Sequence, residues 1–182
     1  EPLFTTQSGH TLRILIDSDV DAATGYALPG LGADHVIEIS GHSQVVLSAT
    51  LYTFDDGRDS HDWNGFTALA SINARASGAS VETQVPLFDL GMGDGDDARL
   101  LWQTSDGVGN GDMSGFVTGL HSAPASIAEI VDQARQDANS HNSGVGMVID
   151  GQFDDWNSVV RETDASDVAN PHVDLREYAV TA

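Results

Sequence analysis

The stretch Val36-Ile37-Glu38-Ile39-Ser40-Gly41-His42-Ser43-Gln44-Val45-Val46-Leu47-Ser48-Ala49-Thr50-Leu51-Tyr52-Thr53-Phe54 decides the fold class. Two β-branched runs, 36–40 and 45–54, lie either side of Gly41-His42-Ser43, which reads as a short hairpin connection. Upstream, Thr11 to Asp17 alternates, with Leu12, Ile14 and Ile16 on one face and Arg13 and Leu15 on the other. Downstream, 66–76, 81–86 and 98–104 read as further strands, the first two joined through Ser77-Gly78. Strands this short and frequent, with 19 glycines mostly between them, predict an all-β fold. The expected architecture is an antiparallel β-sandwich of jelly-roll or immunoglobulin type, rather than a parallel α/β sheet.

One segment departs from this pattern. Ile127, Ile130, Val131, Ala134 and Ala138 recur at helical spacing, and Ser126 followed by Glu129 is a capping box. A short α-helix is therefore expected near 127–139, leaving through the polar, Gly-terminated run Asn139 to Gly144. Beyond it, 147–149 reads as a short strand and 173–181 as a longer one. The chain divides into a main body over 1–123, a helix and linker over 124–147, and a C-terminal segment over 148–182.

At 182 residues the chain has the length of about one domain. Its formal net charge is -21, and all seven basic residues are arginine, so lysine is absent. Such a surface repels phosphates, which excludes a basic nucleic-acid groove and docking to anionic lipid. No apolar run reaches the 18 or so residues of a membrane span. High salt or an exterior rich in divalent cations would each suit this acidity. Zero cysteines removes disulfide and thiolate chemistry. The opening Glu1-Pro2, with no Met and no apolar signal segment, reads as a processed chain or a fragment.

Asp17, Asp19 and Asp21 place carboxylates at alternate positions of a loop leaving a strand, where they can converge on one hard cation. The alternative is a solvated Asp-rich turn, since the sixth-position Gly and twelfth-position Glu of an EF-hand are missing. A second candidate is the glycine-rich loop bearing Asp106, Asn110 and Asp112. Asp94 to Asp97, and Asp150 with Asp154 and Asp155, are further acidic turns. Calcium is the expected cofactor, and no organic cofactor is implied. Catalytic motifs are missing: the histidines have no zinc spacing, and no nucleophile elbow, P-loop or dinucleotide fingerprint occurs. The chain is accordingly expected not to be an enzyme. Trp63 beside Asp62, and Trp156 beside Asn157, offer an aromatic face with hydrogen-bonding neighbours, as sugar binding requires. Equally, each ring could plug an end of a sandwich.

Ile16-Asp17-Ser18-Asp19, Thr24-Gly25-Tyr26 and Gly32 to Glu38 resemble the CBM9-like and DOMON-like β-sandwich modules of cell-surface proteins. Leu51-Tyr52, Asp62-Trp63, Val81-Glu82 and Val85-Pro86-Leu87 agree with them. Ile149-Asp150-Gly151-Gln152-Phe153-Asp154-Asp155-Trp156 resembles the opening of the same module, and Asp164 to Tyr178 resembles the part next to that opening. The resemblance implies that the opening piece is displaced to the C-terminal side. A circular permutant, a longer repeat protein, or completion of the next subunit's sandwich would each explain that order.

In the last case Val173, Leu175, Tyr178 and Val180 would be donated as a strand to a neighbouring copy. Because donor and acceptor surfaces differ, such contacts run head to tail and build an open filament. The expected function is thus a structural subunit of an extracellular, cell-surface filament or sheath, partnered by copies of itself and stabilised by calcium. The alternative is a calcium-stabilised carbohydrate-binding module that meets polysaccharide through Trp63, Asp62, Trp156 and Asn157. A DOMON-like heme role comes third, for want of a recognisable Met/His pair.

Overall fold

The computed structural model describes residues 9–93, 95–118 and 148–180. The helix expected near 127–139, the linker over 124–147 and Asp94 lie outside the described residues. What is described is all-β, antiparallel and sandwich-like.

One seven-stranded sheet organises the body. Its strands are β1 (His10–Asp17), β4 (His35–His42), β5 (Val45–Phe54), β6 (Phe66–Ser71), β9 (Arg99–Ser105), β10 (Gly111–Met113) and β11 (Val117–Thr118). The order is β10-β9-β1-β4-β5-β6, with β11 also on the outer side of β9. Shorter pairs surround it: β2 (Tyr26–Leu28) with β3 (Leu31–Ala33), β7 (Ala74–Ser77) with β8 (Ser80–Thr83), and β12 (Glu162–Thr163) with β13 (Glu177–Tyr178).

The alternation of β1 has two apolar destinations. Leu12, Ile14 and Ile16 meet Ile37, Ile39, Leu100 and Trp102 across the adjoining strands. This larger core is closed by β7–β8 through Ala74, Ala76 and Val81, by Leu90 and Met92, and by Leu175 of the C-terminal segment. On the opposite face Leu15, Val36 and Leu101 are covered by Leu31 and Ala33 of β3. A sheet buried on both faces explains why β1 reads Ile-Leu-Ile rather than strictly apolar-polar.

Several element limits differ from expectation, each for a local reason. The hairpin turn is Ser43-Gln44, not Gly41-His42-Ser43: His42 pairs with Val45, and both turn residues have positive φ (51° and 65°). That is the backbone a two-residue hairpin needs to follow the strands' right-handed twist. The run 66–76 breaks at Ile72-Asn73: Ile72 still donates its N–H to the Ala49 carbonyl of β5, and the chain then leaves that strand to form β7 with β8. The run 81–86 is strand only to Thr83, where its partner β7 begins at Ala74, and Pro86 then leads into a 3-10 turn at Leu87–Leu90. Over 173–181 the expected strand shrinks to Glu177–Tyr178, and Val148-Ile149 is not strand. Around Asn170–Leu175 the backbone bonds to side chains of the body instead of a ladder.

Candidate functional site

Two features of the fold gather polar chemistry: the joint between body and C-terminal segment, and the loops at the end of β1. At the joint, the segment supplies side chains that the body lacks. Val173 is fully buried, Leu175 enters the main core, and the Tyr178 ring stacks on Trp102 with centroids 4.6 Å apart. Val180 packs against the same cluster. All four residues expected to take part in strand exchange therefore lie on the body of their own chain.

The polar groups of the joint interlock as closely. Glu82 of β8 is 2% exposed, and its carboxylate accepts from the Trp156 indole N–H at 3.1 Å and from the Gly151 backbone N–H. Asp112 accepts from the Leu175 N–H at 2.7 Å, Asp106 from the Asn170 side chain at 3.0 Å, and the Thr104 hydroxyl donates to the Val173 carbonyl. Each of these four body residues is buried. Without the segment Glu82 would lose both of these partners, at a cost of about 1–3 kcal/mol for an orphaned buried group.

The second acidic loop behaves differently from a simple calcium loop. Asp106 and Asn110 bind each other, and the Asp106 carboxylate also accepts the Val108 and Asn110 N–H groups. The Asn110 side chain foremost, with those backbone donors, holds the Asp106 carboxyl down to about 2 against burial. Asp112 turns away from them and converges with Asp167 and Asp174, one oxygen of each lying within 4.8 Å of the others. Asp167 and Asp174 belong to the segment, so this cluster spans the joint. Arg176 offsets part of its charge through a 2.7 Å contact with Asp174, which also accepts from the Ser166 hydroxyl. Nearby, burial above all raises the Asp164 carboxyl, and Asp112, Asp167 and Asp174 add to it.

At the end of β1 the residues that meet are Asp17, Asp19 and Asp34, with one oxygen of each within 4.8 Å of the others. Asp21 is turned outward, where its carboxylate accepts the Ala23 N–H at 2.9 Å. Asp34 occupies the bend between β3 and β4, tied by its N–H to the Ile16 carbonyl and by its carbonyl to the Phe54 N–H. In the β1–β4 register Ile16 faces His35, so the next step sets Asp17 against Asp34. Gly25 and Gly32 make the close approach possible: a Cβ on Gly32 would sit 2.2 Å from the Thr24 carbonyl oxygen, and one on Gly25 2.5 Å from Ala33 backbone. No larger residue permits the loop to press against β3 in this way.

The electrostatics of this corner are lopsided. Asp17 is fully buried beneath β3, and neither of its carboxylate oxygens is hydrogen-bonded in good geometry. Burial pushes its carboxyl up, and Asp34 and Asp19 add to this. The Gly32 backbone N–H and Arg99, 3.5 Å away, oppose it. Burial likewise raises the Asp34 carboxyl, although the Ser18 N–H and hydroxyl both donate to it at 2.8 and 3.0 Å.

The tryptophans do not share a face. Trp63 is packed edge-on to Tyr26 and against Phe66, with the Arg13 guanidinium 5.0 Å from its ring. Its neighbour Asp62 is occupied as the cap of a 3-10 turn, accepting from the Asn64 backbone and side chain, which hold its carboxyl low. Trp156 is committed to Glu82, while Asn157 is exposed.

Local spacing in the sequence does not mark Asp34, Asp167, Asp174 or Glu82 as site residues. Asp34 lies 15 residues beyond Asp19, and only the register of β1 on β4 could reveal it. Comparison with protein-family models, curated proteins and solved structures returns no match for this chain.

Proposed function

We propose that this chain is a non-catalytic structural subunit of an extracellular filament or sheath, in which segment 148–180 is passed from one copy to the body of the next. The observation that carries this reading is the joint itself. The segment adds buried side chains and answers buried polar groups of the body, yet pairs no strand with the main sheet. It thus meets the body as a separable plug. Because 29 residues, 119–147, separate it from the body in sequence, the same plug can seat in cis or in a neighbour. Seating in trans is heterologous and propagates head to tail. Copies carrying a charge of -21 repel one another, so calcium or salt is expected to support assembly.

Electron microscopy at rising protein concentration tests this directly. Filaments are expected, and an excess of a peptide spanning 148–182 should shorten them by occupying acceptor bodies. Protein that stays monomeric at every concentration, or filaments indifferent to the peptide, would sink the reading. Chelation is expected to weaken assembly.

A further inference from the structure

We propose that Asp17, Asp19 and Asp34 bind one hard divalent cation of the calcium type where β1 ends and β3 bends into β4. Their oxygens lie within 4.8 Å of one another, the spread that ligands about 2.4 Å from a shared centre allow. All three donors are carboxylates, which suits a hard cation and not a thiophilic or imidazole-seeking metal.

A cluster of acids on so acidic a chain would mean little alone, but Asp17 makes this one different. Its side chain is fully buried, it contributes to the cluster, and neither of its oxygens accepts a well-formed hydrogen bond. Buried carboxylates are ordinarily paired or bound to metal, because an uncompensated buried charge is expensive. Arg99 stands 3.5 Å from one oxygen and offsets one of three charges, leaving two for a divalent ion. The other two carboxylates are already oriented. Ser18 grips one oxygen of Asp34, and Asp19 is held by the Asp21 N–H at 2.9 Å and the Thr24 hydroxyl at 3.2 Å. Bonds of this kind orient the ligands of metal sites.

The site does not depend on the exchange of segment 148–180. It specifies the ligands of the calcium expected in the proposed function, and it should fill in a monomer as readily as in a polymer.

The test is a calcium chloride titration of chelator-treated full chain by calorimetry, with thermal melting at constant ionic strength. Saturable binding and a rise of about 5–10 °C at a hundredfold excess over Kd are expected. Asp34→Asn should weaken the binding by at least about tenfold. Asp17→Asn should bind weakly too, yet melt above the unsubstituted protein in chelator and below it in saturating calcium. That reversal separates a ligand from a merely structural carboxylate. No calcium-dependent shift, binding unchanged in both variants, or Asp17→Asn melting lower in chelator would overturn the site. Any of these results leaves the peptide-capping experiment interpretable, and the absence of filaments leaves the titration interpretable.

Discussion

Asp106 shows how much one carboxylate can organise. It gathers the side chains of Asn110 and Asn170 with two backbone N–H groups, and so ties the loop after β9 to the C-terminal segment. Its carboxyl titrates near 2 in the folded protein against an ordinary 3.8. A depressed carboxyl contributes stability that is fully present above about 3.8 and lost as pH falls through about 2. Asp106→Asn should therefore melt below the unsubstituted protein at pH 6, and the gap should narrow as pH falls from 4 towards 2. A gap independent of pH would mean that the charge is not what matters there. The sequence marks Asp106 as a turn acid with oxygen neighbours, and it is one. That its partner would be Asn170, 64 positions away, is not encoded in any local spacing.

Among the elements, the β4–β5 hairpin combines a well-marked pair of strands with a poorly chosen turn. Ser43 and Gln44 both adopt left-handed φ, which costs non-glycine residues about 1 kcal/mol each, less for Asn. Replacing the pair by Asn-Gly, the usual sequence of this turn, should stabilise the protein by about 1 kcal/mol in urea denaturation. An unchanged midpoint would show that the turn is held by its strands alone. Beyond the turn, β-bulges shift the register between Ser40 and Gly41 and between Leu51 and Tyr52. Leu47 and Leu69 are the extra residues at these two bulges, and both are exposed. A bulge adds one residue to one strand and changes which face the following side chains take.

At the scale of the whole molecule, the C-terminal segment belongs to the core of the body. Leu175 is buried as a member of the main core cluster, which also holds Trp102, so Leu175→Ala should lower the unfolding free energy by about 2–5 kcal/mol. Urea denaturation at several protein concentrations measures this. A loss below about 1 kcal/mol would show that the segment merely rests on the surface. If copies exchange segments, the midpoint will also rise with protein concentration, as it does whenever folding and association are linked.

The sequence by itself determined the strands β1, β4, β5 and β9, the antiparallel all-β class, and the strong acidity of the chain. Those come from side-chain period, β-branching and charge, which are properties of neighbours along the chain. Tertiary structure alone decided that Asp34 rather than Asp21 would face Asp17, and that Asp112 would meet Asp167 and Asp174 instead of Asp106 and Asn110. It also decided that the chain's own C-terminal segment would answer Glu82. Each of these meetings depends on strand register and on which face of a doubly buried sheet a loop covers. The net charge announced that carboxylates are plentiful, but only the fold shows Asp17 buried with both oxygens outside any well-formed hydrogen bond, and a carboxylate cut off from water in this way needs a partner.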